Sequence, residues 1–383
     1  MRNVPELRFD GFDGEWDSRR LKSLIKDIGT GSSKFNFIEG RYPILGSTGI
    51  IGYDNQFDYD GKFILIARVG ANAGILYKYN GKVKISDNTI FIKTKNQEYI
   101  YNLLLKKDLT RLVFGSGQPL VKSSDLKDLH VIYTKNEEEQ DKIGELFRKI
   151  DALIETQEGK VAKMEDFKKS MLQKMFPKKG ELVPEFRFDG FDGEWKSSKL
   201  KHIGIVKSGV GFPEKFQGGI SGIPFFKVSD MNLGSNNIIM KNAQNYVSES
   251  DIITNKWNVI TDRPAIIFAK VGAAIFLERK RIVTEDFLID NNMMAFISKV
   301  KSDLYFLKVF LDTTRLAKYA QSGALPSYNA NDIYSIPINL PSLEEQEKIG
   351  NFFKNLDTQI ENEEKLLDSY KNMKKSLLQK MFV

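Results

Sequence analysis

The chain has no cysteine, which excludes a disulfide framework and any thiolate metal site. Histidine is nearly as scarce: His130 and His202 are the whole supply. Each stands alone among apolar or basic neighbours and is expected to be structural, so neither a histidine metal centre nor a His-based triad can be assembled. No HExxH, no GxSxG and no GxGxxG between a strand and a helix occurs, nor does an Asp/Asn-Pro-Pro-Tyr tetrapeptide for methylating an exocyclic amine. The stretch Gly29–Lys34 (GTGSSK) lacks the Gly-Lys-Ser/Thr ending of a phosphate loop and reads as a surface loop. Carboxylate pairs such as Asp58 with Asp60 fall in polar turns and are expected to be solvated. No run approaches the roughly 18 uninterrupted apolar residues of a membrane span. The first ten residues, MRNVPELRFD, hold no signal-peptide core, so a cytoplasmic protein is expected. Charge is only mildly one-sided, with 57 basic against 50 acidic side chains and a net +7. That favours a polyanionic partner without establishing one.

What is present is repetition. At 383 residues the chain can form two or three domains, and it reads as one unit written twice. VPELRFDGFDGEW (Val4–Trp16) returns as VPEFRFDGFDGEW (Val183–Trp195), 179 residues later. The stretch Glu138–Phe176 returns as Glu344–Phe382 at an offset of 206, with 19 of 39 positions identical and no gap. Between these borders the two blocks have diverged, and the second is 27 residues longer. A few anchors persist in order: Ala67–Asn72 with Ala269–Ala274, Asp87-Asn88 with Asp290-Asn291, and Ser116-Gly117 with Ser322-Gly323.

Short runs rich in Ile, Val, Phe and Tyr, broken by Gly and Asn, predict strands at Phe63–Val69, Gly74–Tyr79 and Thr89–Lys93. Apolar steps of three and four then predict a helix over Glu98–Leu109. The second block repeats the order, with strands near Ala265–Val271, Ala274–Glu278 and Met293–Ser298 and a helix over Leu304–Tyr319. Each block is expected to be a mixed α/β domain.

The repeated C-terminal stretch of each unit carries apolar residues at alternating steps of three and four, among them Ile143, Phe147, Ile150 and Ile154, and in the copy Ile349, Phe353, Leu356 and Ile360. Such spacing is a coiled-coil seam, on a helix of roughly 60 Å at about 1.5 Å per residue. Asn136 and Ser342 are the expected N-caps, with acidic residues in the first turn and lysines near the last. Two such helices in one chain predict an antiparallel pair about a pseudo-two-fold axis. Polar residues interrupt both seams at matching places, Gln157 and Lys168 in the first and Glu363 and Lys374 in the second. An axis near Met164 and Tyr370 would set Lys168 beside Glu363 and Gln157 beside Lys374, and a buried polar pair of that kind can fix register.

Loops of Gly, Ser, Thr and Asn interleaved with Lys or Arg form the candidate recognition surface. In the first block they supply Lys34, Arg41, Ser47, Thr48, Arg68, Asn72, Ser116, Gln118 and Lys122. In the second they supply Lys207, Lys227, Ser229, Lys270, Ser322, Ser327 and Asn329. Glycine-freed backbone amides and hydroxyls suit phosphate oxygens, while Arg, Asn and Gln can read base edges.

The whole chain resembles the specificity (S) subunit of a type I restriction-modification enzyme. The residues that carry the resemblance are the two FDGFDGEW openings, the EEQxKIG stretch after each block and the KKSxLQKMF ends. It implies two target-recognition domains separated by two long antiparallel coiled-coil helices, with boundaries at 1–136, 137–180, 181–342 and 343–383. It further implies that the chain is not itself an enzyme and binds no cofactor. Each domain would read one half of a split site in double-stranded DNA, with the helices as a ruler between halves. Partners would be two methylating (M) subunits holding S-adenosylmethionine and two motor and nuclease (R) subunits using ATP and Mg. Ile143, Phe147, Ile154, Lys168, Ile349, Phe353, Ile360, Glu363 and Lys374 would serve helix pairing and M-subunit docking. The alternatives are a fused restriction or methylation enzyme, and a DNA-binding regulator or scaffold.

Overall fold

The fold was taken from a computed structural model that describes residues 3–34, 39–115, 117–321 and 325–383. It divides into two compact units. Unit 1 comprises Met1–Gly159 with Glu364–Val383, and unit 2 comprises Lys160–Glu363.

Unit 1 is built on a six-stranded sheet in the order Asp27–Thr30, Thr89–Lys93, Tyr59–Ala67, Leu76–Ile85, Tyr42–Gly46, Gly49–Asp54. Neighbours are antiparallel except Tyr42–Gly46 against Leu76–Ile85, which run parallel. The strand Tyr59–Ala67 explains the layering, because successive side chains leave a strand on opposite faces. Phe63 and Leu65 pack with Leu45, Val83, Ile85 and Phe91 on one face. Ile64 and Ile66 pack on the other with Tyr99, Leu103 and Leu104 of the helix Gln97–Lys107. A two-stranded ladder, Asp17–Arg20 against His130–Tyr133, ties the start of the block to its end.

Unit 2 repeats this logic on a four-stranded sheet, Gly204–Ser208, Met293–Ser298, Ala265–Ala269, Lys280–Val283. Ile266 and Phe268 face one core, while Ala265 and Ile267 face another. A small second sheet is made of Tyr246–Val247, Ile223–Phe226 and Leu288–Ile289, and Phe212 stacks on Phe225 with ring centroids 3.7 Å apart. The ladder Pro337–Leu340 against Lys196–Lys199 closes the block.

Two expectations for this block are corrected. Ala274–Glu278 is not a strand: Ala273–Leu277 forms a 3-10 turn after Gly272, whose φ is 75°. Only Ile275 of the turn is buried, and Glu278 anchors its end by accepting hydrogen bonds from the Leu316 and Ala317 amides and pairing with the buried Lys280. The helix expected over Leu304–Tyr319 ends at Thr313, and a separate 3-10 turn follows at Leu316–Tyr319.

The long helices span Glu137–Lys174 and Leu343–Met381. Their caps are those read from the sequence: Asn136 Oδ1 accepts from the Glu139 amide at 3.1 Å, and Ser342 Oγ from the Glu345 amide at 3.2 Å. Each helix begins in one unit and ends in the other. In unit 1, Phe382 packs against Trp16, Tyr99 and Phe147. In unit 2 its repeat equivalent Phe176 packs against Trp195, Phe306 and Phe353. The opening segments hold these helix ends by matching bonds, from the Leu7 amide to the Lys380 carbonyl (2.9 Å) and from the Phe186 amide to the Lys174 carbonyl (2.8 Å). Arg8 grips the buried Glu139 through two hydrogen bonds, and Arg187 grips the buried Glu345 likewise. Such forked pairs fix direction as well as distance.

Helix register differs from the expectation by six residues. Lys168 meets Asp357 at 2.5 Å in unit 2, not Glu363, and Lys374 meets Asp151 at 2.6 Å in unit 1. Glu363 pairs with Lys160 at 2.7 Å, and Glu158 with Lys371 at 2.7 Å. Within each unit the partners therefore descend along one helix as they ascend along the other. The reason lies outside the seam: Asp357 is buried and also accepts from the Tyr305 hydroxyl, with the Lys308 ammonium 3.7 Å away. Lys168 completes that charge cluster, which Glu363 could not offer.

Candidate nucleic-acid interface

In unit 1 the candidate loops converge on the turn between the strands Leu76–Ile85 and Thr89–Lys93. The Asn88 carbonyl accepts from the Arg68 amide at 2.9 Å and from Ser47 Oγ at 2.8 Å. The Arg68 guanidinium donates to the Asp87 carbonyl, and the Arg68 carbonyl accepts from the Val121 amide. The Gly70 amide donates to the Pro119 carbonyl, which brings Gln118 to the same end of the sheet.

Unit 2 builds the same framework. The Lys270 amide donates to the Asn292 carbonyl at 2.8 Å, the Gly272 amide to Pro326, and the Tyr328 amide to the Lys270 carbonyl. Gly31 and Gly209 occupy matching places beside the two turns. A Cβ at Gly31 would lie 2.2 Å from the Ser86 carbonyl oxygen, and one at Gly209 would lie 1.8 Å from that of Asp290, so only glycine lets the backbone pass. The turns at Asp87-Asn88 and, in unit 2, at Asp290–Asn292 are therefore hubs that gather loops. In unit 2 the hub includes two buried carboxylates, Asp230 and Asp290, both held above the ordinary carboxylate range chiefly by burial. Asp230 accepts from the Lys227 and Gln244 amides and so fixes the loop that carries Lys227.

The sequence-derived residues divide accordingly. Ser47, Thr48, Arg68, Asn72, Gln118 and Lys122 sit on loops joined to the first hub or directly beside them, and Lys122 lies over the Phe114 ring at 4.3 Å. Lys34 reaches it from the strand side, its carbonyl accepting from the buried Lys84 ammonium at 2.7 Å. Arg41 does not join them, because it precedes the strand Tyr42–Gly46 and lies at the end away from Ser47. In unit 2, Lys227, Ser229, Lys270 and Ser327 border the second hub. Lys207 lies on the strand beside it and is tied to Asp262 at 2.7 Å. Asn329 is turned to a structural task, its side chain accepting from the Asn331 and Asp332 amides as the cap of Ala330–Tyr334. Ser116 and Ser322 lie outside the described residues.

The chain matches the family described as "Type I restriction modification DNA specificity domain" over residues 14–166 and 192–371. It belongs to that family. The type I restriction enzyme EcoDI specificity subunit of Escherichia coli is 26% identical over 408 residues, covering 96% of this chain and 88% of the relative. The MjaVIII specificity subunit of Methanocaldococcus jannaschii is 24% identical over 354 residues, covering 82% and 77%. In fold, the chain is similar to the crystal structure of the type I restriction-modification S subunit from M. genitalium, with a TM-score of 0.72, 17% identity and 99% of both chains covered. A chain from a structural study of type I complex assembly and conformational transition gives a TM-score of 0.54 at 15% identity, covering 96% and 97%.

One feature of this specificity-domain chain is not evident from its sequence. Leu325, 63% exposed, precedes Pro326 just as Gln118 precedes Pro119, so it holds in the second loop the place of Gln118 in the first. The shared X-Pro step after the Ser-Gly anchors was the available signal, hidden because a polar criterion passes over leucine. Of the residues assigned to helix pairing and M-subunit docking, Ile143 and Phe147 lie in the core of unit 1 and Ile349 and Phe353 in that of unit 2, Ile360 is buried, and Ile154 is half-buried. Among the described residues no cluster of His, Asp or Glu is arranged to hold a metal ion, and no helix is long and apolar enough to cross a membrane.

Proposed function

We propose that this chain is the sequence-specific DNA-recognition subunit of a type I restriction-modification complex, each block reading one half of a bipartite, asymmetric site. The observation that carries this reading is the repeated loop hub. One backbone framework is built twice, yet it presents Arg68 and Gln118 in one unit against Lys270 and Leu325 in the other. A shared frame with different side chains suits two half-sites of different sequence. The two long helices would pair as an antiparallel coiled coil about a pseudo-two-fold axis and set the spacer between half-sites. Methylation and cleavage are assigned to partners, two M subunits carrying S-adenosylmethionine and two R subunits using ATP and Mg. The chain's own part is binding and placement.

Methylome sequencing of a strain expressing this subunit with its partners tests the reading. A single split motif is expected, and Arg68→Ala should relax the first half only, by about 1–3 kcal/mol at one position if it makes a bidentate base contact. Lys270→Ala should affect only the second half. Uniform loss across all sequences, with a shallower salt slope, would reassign both residues to phosphate contact.

A further inference from the structure

In unit 2 the turn joining the strands Ala265–Ala269 and Lys280–Val283 is longer than its counterpart in unit 1. The last ladder pair there is Ile66 opposite Leu76, enclosing residues 67–75, and here it is Phe268 opposite Lys280, enclosing residues 269–279. The longer turn exposes two large apolar side chains, Phe276 at 58% and Leu277 at 55%, and neither joins the cores of the unit. The chain around them is fixed. Ile275 is buried, the Gly272 amide is bonded to the Pro326 carbonyl, and the Glu278 carboxylate accepts from the Leu316 and Ala317 amides and pairs with the buried Lys280. Phe276 and Leu277 are therefore held out into water by a turn anchored on both sides.

Place and charge identify what covers them. Leu325 is also exposed, and its Cδ1 lies 3.5 Å from where a Cβ on Gly272 would sit, so a third apolar side chain borders the same turn. The Lys270 amide, bonded to the Asn292 carbonyl, ties that turn to the second hub. In unit 1 the shorter turn exposes Ile75, and the polar Gln118 stands where unit 2 has Leu325. The 3-10 turn Leu316–Tyr319, whose amides hold Glu278, brings two cations to the patch, Arg315 and Lys318. Both are exposed and, among the described residues, neither side chain has an ion pair or hydrogen bond, while Glu278 is spent on internal bonds. An apolar patch edged by free cations fits a polyanion that also offers an apolar group. In the major groove of DNA that group is the C5 methyl of thymine.

We propose that Phe276 and Leu277, with Leu325 beside them, are specificity-determining residues that close on a thymine methyl in the half-site read by unit 2. This rests on the function proposed above and names the base chemistry of one half. Thymine is favoured over cytosine at that position because cytosine has only hydrogen at C5, and Arg315 and Lys318 meet the neighbouring phosphates.

The test measures binding by the full-length chain assembled with its methylating partners. The duplexes carry the motif that methylome sequencing returns, with uracil replacing each thymine in turn; uracil pairs as thymine does and lacks only the methyl. Wild type should lose about threefold to fivefold in affinity at a thymine of one half-site, the worth of one buried methyl group. Phe276→Ser/Leu277→Ser should bind thymine and uracil duplexes alike there, within about 1.5-fold, and keep the wild-type response elsewhere. Phe276→Leu, which leaves the patch apolar, should retain the response. A wild type indifferent to uracil throughout both half-sites would overturn the proposal, as would a double variant with the full wild-type response. Indifference to uracil together with a rise in 2-aminopurine fluorescence on binding would also overturn it, and would make Phe276 a wedge between base steps. A chain that yields no split motif at all would remove the functional reading itself, which is a distinct result.

Discussion

Gln118 and Leu325 stand at the same place in two equivalent loops and can do different chemistry. A glutamine amide can both donate to and accept from adenine, whereas a leucine can offer only apolar contact, which in the major groove means the thymine methyl. Leu325→Ala is expected to relax one position of the second half-site by about 1 kcal/mol, on the order of a lost methylene contact or two, and Leu325→Gln to change the base preferred there. Methylome motifs read both, and a change confined to the first half-site would show that Leu325 is misplaced. Lys207 makes the opposite case, a basic residue already engaged. Asp262 holds Lys207 and Lys299, and their hydrogen bonds lower its carboxyl from 3.8 to about 2. A depressed folded value means the pairing is complete above pH 3.8 and is lost as pH falls through about 2. At neutral pH the carboxylate is therefore ionised and paired with both lysines. Asp262→Asn should release them, raising non-specific affinity at low salt and steepening the salt slope by about 1–2. Titrations from 50 to 200 mM salt would measure it, and an unchanged slope would mean that neither lysine reaches a phosphate.

Among the elements, the long helices make one contact twice in unequal surroundings. Lys168–Asp357 and Lys374–Asp151 are the same pair by repeat position, but the Asp357 side chain is 3% exposed and that of Asp151 is 26% exposed. Removing one partner of a buried pair strands a charge, whereas a wetter carboxylate is resolvated cheaply. Lys168→Met should therefore cost about 2 kcal/mol, less than a wholly isolated buried pair because Lys308 stays near Asp357. Lys374→Met should cost about 1 kcal/mol or less, since Lys78 still reaches Asp151 at 3.4 Å. Urea denaturation of the two variants compares them, and equal losses would contradict the burial argument. The same pair marks the limit of what the sequence discloses. Helix extents, both N-caps and the strands Thr89–Lys93 and Met293–Ser298 were legible, because periodicity and capping are local. Register was not: choosing Asp357 over Glu363 for Lys168 depends on Tyr305 and Lys308, which arrive from another helix. The 3-10 turn at Ala273–Leu277 was hidden for a similar reason, since an apolar run does not reveal that only Ile275 will be covered. At the candidate site the loops were legible as polar, glycine-rich stretches. The hub that gathers them was visible only as a repeated Asp-Asn.

For the whole molecule, the division of the helices dictates how the proposed ruler can be lengthened. Contacts change ownership between Gly159 and Lys160 on the first helix and between Glu363 and Glu364 on the second. Seven residues added at the first point alone would slide one helix past the other, so that the pairs of unit 1, Asp151–Lys374 and Glu158–Lys371, could not coexist with those of unit 2, Lys160–Glu363 and Lys168–Asp357. Matched heptads at both points preserve all four pairs, because each unit keeps its own helix segments intact. Seven residues advance a helix by about 10 Å and return its face to within roughly 20°. That is on the order of three base pairs at about 3.4 Å each. The matched variant should therefore methylate a motif with both half-sites unchanged and a spacer longer by about three base pairs. The single insertion should yield an unstable protein with no defined motif. An unchanged spacer in a folded, active matched variant would show that something other than helix length sets the distance between the half-sites.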